Sequence, residues 1–424
     1  MQRPKVHYAW MILALSFIAI ATGASMRFAF GSFVLPWQQS FGVGRSAISG
    51  IATFSFVVFG LLQPVMGRWA DRRGPGAVLG ASMVLVAVGL LITRWAGSFW
   101  LLGLGFGVVA SMGFAGASTV AGSTAVARWF ASRQGLAMAI ITLSMSVGQM
   151  LFTPAAIFLN ATAGWRQTLL YWAIALLALA PLIWWLLKPD PAAMGLEPYG
   201  AERLRGTLPP LSGEPPAGGS LAGIGRLVRN ANFWFLALPY FICGFTTAGL
   251  IDTHFVPFIE DHHLPPAASA TAVAVLAIGN SLGILTSGWL TDRIPRRLLL
   301  SLLYATRGVC LVLLVAIPNP GALLALSALF GFVDFSTVPP TSSLAAELLG
   351  GEGVGLVLGL ISLCHQLGAA AGAFVPGLLH DLTGNYLAAF LLAALTLGAA
   401  SGLSLWVREG RRPPADLRPI AAEA

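Results

Sequence analysis

Seven polar or ionisable residues stand inside otherwise apolar stretches: Arg27, Asp252, His254, Asn280, Arg307, Asp334 and His365. Each residue type has a definite chemistry. A guanidinium such as that of Arg27 stays protonated and grips a carboxylate through two parallel hydrogen bonds. Arg27 is therefore read as a binding group for an anion, with a side chain snorkelling to an interface as the rival reading. Asp252, His254 and Asn280 are candidate ligands of the same small molecule. The first two equally suit an interfacial position, and Asn280 equally suits a bond between helices. Arg307 and Asp334 are lone opposite charges and are expected to pair. The pair is either a static tie or a switch in which Asp334 takes a proton once Arg307 leaves it. The imidazole of His365 suits a proton relay, a substrate contact or a hydrogen-bonded core. His262 and His263 with Glu260 and Asp261 read as a solvated loop, not a metal site. No phosphate-binding G-x-x-x-x-G-K-[ST] loop and no catalytic constellation are found. No catalytic residue, metal or cofactor is expected, and the chain is read as non-enzymatic.

The stretches that carry these residues are helices in a bilayer. The chain has 424 residues, 57% hydrophobic and 9% charged, where a soluble domain carries about 25% charged residues. Lipid must be its solvent. Runs of spanning length predict twelve helices: 9–36, 46–66, 77–93, 99–122, 134–158 and 166–187, then 233–257, 268–289, 297–317, 321–345, 354–378 and 386–407. The first run follows Arg3 and Lys5 as a signal peptide would. It continues past Arg27 and has a counterpart in the second half, so it is read as a retained helix. Between the halves lies 188–232, rich in Pro and Gly and expected to be a flexible linker with one short amphipathic piece near Arg226 and Arg229. The division is 1–187, the linker 188–232, 233–407 and a tail 408–424. Cys243, Cys310 and Cys364 lie in apolar runs and read as free buried thiols.

Lysine and arginine are distributed unevenly. With the termini and even-numbered loops on one side, that side holds nineteen of them and the other holds Arg45, Arg94 and Arg166. The positive-inside rule then places both termini in the cytoplasm of a multi-pass cell-membrane protein, most simply a bacterial inner membrane. The basic residues form no aromatic-interleaved patch, so nucleic acid is not expected as a partner.

The halves also repeat. GRWADRRGPGAVL from Gly67 is echoed by GWLTDRIPRRLLL from Gly288, with Gly67, Asp71 and Arg72 over Gly288, Asp292 and Arg293. GLAMAIITLSMSVGQ from Gly135 is echoed by GLVLGLISLCHQLGA from Gly355 at nearly the same offset. None of the seven intramembrane polar residues has a chemically similar counterpart in the other half. The scaffold does not demand them.

Gly67, Asp71, Arg72 and Gly74 resemble the signature loop of the major facilitator superfamily, and the resemblance covers the whole chain. It implies an all-α fold of twelve transmembrane helices in two pseudo-symmetric six-helix bundles. It also implies a conformational latch at Gly67, Asp71, Arg72, Gly74, Gly288, Asp292 and Arg293. Pro295 stands in the second copy where the first has Gly74. Within that superfamily the chain is similar to bacterial relatives of the monocarboxylate transporters, through RFAFGSFVLPWQQSFG from Arg27, Trp165–Arg166, PAAMGLEPYG from Pro191, CGFTTAGLIDTHFVP from Cys243 and HQLGAAAGAF from His365. The animal members carry an Asp and an Arg four apart on helix 8. Asn280 and Ile284 stand at those positions here, so Arg27 would take the part of the substrate arginine.

The expectation is a monomeric secondary transporter of a small carboxylate-type anion, coupled to protons in symport by alternating access. Arg27, Asn280, His365, Asp252 and His254 are its expected binding residues, and Asp334, Arg307 and His365 its coupling residues. An exporter of drug-like or amphiphilic compounds is the alternative.

Overall fold

The computed structural model describes residues 7–201, 221–291, 293–315, 319–349 and 354–409. Among them are twelve helices long and apolar enough to cross a membrane. These are α1 (Tyr8–Phe41), α2 (Arg45–Ala70), α3 (Pro75–Arg94), α4 (Phe99–Trp129), α5 (Leu136–Thr162) and α6 (Trp165–Leu186). The second set is α7 (Ala231–Asp261), α8 (Pro266–Thr291), α9 (Arg296–Val315), α10 (Pro320–Ala345), α11 (Val357–Thr383) and α12 (Leu387–Leu405). Capping explains several ends. His7 accepts a hydrogen bond from the Ala9 N–H at α1. Asn319 caps α10. Gly74, at φ +89°, turns the end of α2 into Pro75 at the start of α3; only glycine reaches that backbone conformation readily.

Each set of six builds its own apolar core, one around Trp37, Phe106 and Phe114, the other around Tyr304, Phe330 and Phe390. The sets meet chiefly along α2 with α11 and α5 with α8. Tyr8 Oη donates to Leu186 O at 2.7 Å, and Arg408 N to Asn232 Oδ1 at 3.1 Å. The start of α1, the end of α6, the start of α7 and the end of α12 therefore share one face, called here the terminal face. The far face is opposite.

Four helices are interrupted near mid-length. α1 tightens to a 3₁₀ turn at Ala29–Phe33, and α10 does the same at Phe335–Thr337. α7 widens to a π-helical turn at Phe245–Ile251. α4 breaks at Ala117–Ser118, where Ser118 starts a new helical segment and accepts from Val120 N. Non-helical backbone is tolerated at membrane depth only where protein or a cavity satisfies its polar groups.

The linker departs from expectation at its start. Tyr199 N donates to Trp129 O at 2.8 Å, and Ala131 N and Ser132 N donate to Tyr199 O. The Tyr199 ring packs among His7, Trp10 and Phe130. Residues 188–201 are thus docked on the N-terminal half. The short amphipathic helix is present at Leu221–Arg229, with Leu227 buried. The Pro- and Gly-rich centre lies outside the described residues.

Candidate functional site

The four interrupted helices border a cavity of about 240 Å³ between the two halves. Arg27 and Phe28 come from α1, Phe59 and Gln63 from α2, Phe114 from α4 and Thr142 from α5. The opposite wall is more polar, with Tyr240, Cys243, Thr247 and Asp252 on α7, Asp334 on α10, and Ser362, His365 and Gln366 on α11. Ile284 of α8 also reaches the cavity.

Arg27 is 8% exposed. Its guanidinium carbon lies 4.7 Å from the Phe59 ring centre, 4.9 Å from that of Phe28 and 5.6 Å from that of Phe56. No carboxylate among the described residues lies within ion-pair distance, and its Nε has no hydrogen-bond partner. Three phenyl faces steady the cation without neutralising it. Asp252 is the carboxylate whose field reaches it. Asp252 Oδ1 accepts from Gln149 Nε2 of α5 at 3.1 Å, and Gln149 Oε1 accepts from Asn280 Nδ2 of α8 at 3.3 Å. A polar string therefore crosses from one half to the other. Asn280, expected among the binding residues, is buried and does not line the cavity, and its described side-chain bond goes to Gln149.

Arg307 is fully buried behind the same wall and 3.5 Å from Asp334 Oδ1. It also donates to Cys243 Sγ at 3.2 Å, Thr247 Oγ1 at 3.1 Å, Val333 O at 3.0 Å and Asp334 O. Thr247 donates to Asp334 Oδ1 at 2.6 Å. Asp334 faces the cavity and Arg307 does not. The His365 ring lies against Tyr240, with centres 4.7 Å apart.

His254 sits elsewhere, and its expected place among the binding residues is corrected by its surroundings. It does not line the cavity. Its ring nitrogens meet Tyr386 Oη at 2.9 Å and Ala373 O at 2.7 Å, in a seal at the far face. There Arg45 of α2 holds Asp261 of α7 through both carboxylate oxygens, at 2.5 and 2.6 Å. His380 reaches Asp261 at 3.2 Å, and Asp381 of α11 accepts from Arg45 N and Ser46 N. At Gly31 of α1 an added Cβ would stand 3.0 Å from Asp252 O, so the two halves touch backbone to backbone. Asp261 is thus part of an inter-half lock, not a residue of a merely solvated loop. Toward the terminal face the halves are tied more loosely, as by Ser362 Oγ to Gln63 Oε1 at 3.4 Å.

The two signature loops differ in detail. A Cβ on Gly67 would meet Val120 of α4 at 3.2 Å, while one on Gly288 would meet open space. Arg293 bonds back to Trp289 O of its own helix and stacks on that ring. Arg296 makes the long-range ties of the second copy, to Ser343, Glu347 and Glu409. Arg72 is exposed at the end of the first copy. Asp292 and the side chain of Asp71 lie outside the described residues. Gln149, Gln366, Tyr240, Thr247 and the Arg45–Asp261 lock were not anticipated. Neutral polar residues raise no alarm in an apolar run, and a loop charge carries no mark of a partner 216 residues away.

Comparison with known proteins agrees with this geometry. The model of the Major Facilitator Superfamily matches residues 14–278 and again 254–424. The chain is 28% identical to monocarboxylate transporter 13 of Bos taurus over 94% of its own length and 89% of that protein. It is 26% identical to the MFS-type transporter YcxA of Bacillus subtilis, covering 95% and 96%, and 24% identical to the gallate transporter of Pseudomonas putida, covering 94% and 92%. Among solved structures, a bacterial homologue of the human lysosomal transporter Spinster, inward-facing and occupied, superposes with a TM-score of 0.71 at 15% identity, covering 96% of this chain and 97% of that one.

Proposed function

Because the chain belongs to the major facilitator superfamily, and is thus a membrane transporter and not an enzyme, we propose that it carries a small carboxylate-type anion in symport with a proton by alternating access. The observation that carries this reading is Arg27, a buried cavity cation with no carboxylate in ion-pair range. Such a charge is costly in a membrane protein unless an anion completes it. Relatives named for monocarboxylates and for gallate support an organic acid as the cargo.

In this reading Arg27 binds the carboxylate, Asp252 and His365 border it, and Asn280 holds Gln149 in place. Asp334 is the coupling acid, Arg307 its switchable partner, and His365 passes the proton toward the cavity. The halves rock about the cavity, opening the far-face seal while closing the terminal face. The protein works as a monomer in a bacterial inner membrane with both termini in the cytoplasm, which makes the sealed face the outer one. Counterflow of labelled organic acids in proteoliposomes tests the proposal: exchange should occur with carboxylates and vanish with neutral amides of the same acids. The phenyl groups of Phe28, Phe59, Phe114 and Phe335 in the lining favour a second reading, export of amphiphilic compounds. Exchange of amphiphilic cations and none of carboxylates would select it.

A further inference from the structure

Asp252 of the C-terminal half faces two groups of the N-terminal half, the Arg27 cation and the Gln149 amide, and it bonds the amide. Its backbone oxygen touches α1 at Gly31, where an added Cβ would stand 3.0 Å away. Gly31 lies about one helical turn beyond Arg27. Arg27 and Asp252 line the same cavity, and the field of the carboxylate reaches the guanidinium. Gln149 is fixed to the half that carries Arg27. Its neighbour Gly148 packs on α1 so closely that a Cβ would stand 2.6 Å from Ala21 O. Among the described residues Arg27 and Asp252 form no ion pair. Asp252 Oδ1 accepts instead from Gln149 Nε2 at 3.1 Å.

A neutral amide should lose a contest with a cation, because opposite charges attract strongly away from water. Here the amide is locked in place. An ionised carboxylate only accepts hydrogen bonds, so Gln149 must turn its NH2 group to Asp252 and its Oε1 away. That oxygen accepts from Asn280 Nδ2 of α8 at 3.3 Å. Gln149 is 4% exposed and Asn280 0%, so water does not take over either bond. On the other side the rings of Phe28, Phe56 and Phe59 steady the guanidinium where it stands. Anion and cation are thus each held by a neighbour of their own.

Building on the carboxylate reading above, we infer that Gln149 is a positioning residue for anion binding: oriented by Asn280, it keeps the Asp252 carboxylate off Arg27 and leaves the cation open to a substrate. Without Gln149, Asp252 occupies Arg27 as an internal competitor. The substrate then has to displace a carboxylate that the protein itself supplies.

The test reads the state of Arg27 in the purified full-length protein. Butanedione, a small arginine reagent suited to a cavity of about 240 Å³, is added, and modification of Arg27 is followed by peptide mass spectrometry. Wild-type Arg27 should react, and Gln149→Leu should slow the reaction about tenfold, the ratio that one charge-assisted hydrogen bond sets. In an Asp252→Asn background the slowing by Gln149→Leu should disappear, because no competitor remains. Asn280→Ala, which frees Gln149 to turn, should slow the reaction in the same sense, and it serves where Gln149→Leu does not fold. Equal rates in wild-type protein and Gln149→Leu overturn the inference. So does slowing that persists beside Asp252→Asn, which would make Gln149 a packing residue only, and so does an Arg27 that never reacts in the wild-type protein. Benzoate and lactate are then added to wild-type protein. Protection of Arg27 by either supports the carboxylate reading. Protection by neither counts against that reading and leaves the result for Gln149 standing.

Discussion

A guanidinium among three phenyl rings is costly to keep in a bilayer, about 2.5–3.5 kcal/mol at the centre of a helix on insertion scales. Among the described residues no carboxylate lies within ion-pair distance of Arg27, and only the field of Asp252 reaches it, so its charge is held for something that arrives. Arg27→Gln should lower uptake of a carboxylate about a hundredfold, since each charge-assisted hydrogen bond contributes about 1.5–3 kcal/mol. The variant should remain monodisperse and no less heat-stable, because it removes an unpaired buried charge. Uptake at the wild-type rate would reduce the arginine to an anchor. Asp334 poses a different question. A static pair predicts that Asp334→Asn orphans a buried cation and destroys the protein. Here the guanidinium also rests on Val333 O, Asp334 O, Cys243 and Thr247, so it keeps partners when the carboxylate is neutralised. Asp334→Asn should therefore fold and exchange substrate between two loaded sides, yet fail at uphill uptake driven by a pH gradient. Gradient-driven uptake by the double variant Arg307→Leu with Asp334→Leu would exclude a coupling role. Charged residues in apolar runs were legible from sequence. So was the pairing of Arg307 with Asp334, but the neutral partners Gln149 and Thr247 were not, because they are uncharged and their bonds cross between helices.

Of the helices that bear these residues, α1, α7 and α10 have their regular hydrogen bonding broken at cavity depth, as does α4 beside them, while Arg307 and Gln149 stand on unbroken helices. Glycine in α7 and the small residues around Ala117 of α4 permit this, and the apolar pattern alone reads as uninterrupted helix. For the same reason the end of α7 was read as a loop bearing Asp261, when the helix carries that carboxylate to Arg45. The Arg45 side chain is 5% exposed and the Asp261 side chain 29%, so the pair is shielded well beyond an ordinary surface ion pair. It joins α2 to α7, one from each half, and it must part whenever the far face opens. Breaking it removes free energy from one conformation only and shifts the population toward the other. Asp261→Asn should raise the labelling of an Ile284→Cys variant several-fold when an impermeant thiol reagent is added at the far face. The same protein without Ile284→Cys supplies the background from the native cysteines. Unchanged labelling would mean that backbone contacts such as Gly31 against Asp252 hold the seal alone.

At the scale of the whole molecule, twelve helices in two similar halves were legible because lipid imposes a length and a composition on every span. The repeat at one offset added the pairing of the halves. The docking of residues 188–201 was not legible, since Pro- and Gly-rich composition reads as flexible wherever a few aromatic contacts are not anticipated. Orientation rests on charge. By sequence, nineteen Lys and Arg fall in the termini and even-numbered loops against three in the other loops, and such residues stay in the cytoplasm during insertion. Ser212 belongs to the linker between Ala201 and Leu221, whose flanking helices α6 and α7 meet the terminal face. Ala267 is exposed at the start of α8, one turn from the far-face seal. A cysteine at Ala267 should react with an impermeant reagent added outside intact cells, and a cysteine at Ser212 only after the membrane is permeabilised. Reaction of both from outside would break the twelve-span arrangement. Reaction of Ser212 alone from outside would invert the protein, move Arg45 and Asp261 to the cytoplasmic side, and turn the sealed state from one that blocks the exterior into one that blocks the cytoplasm.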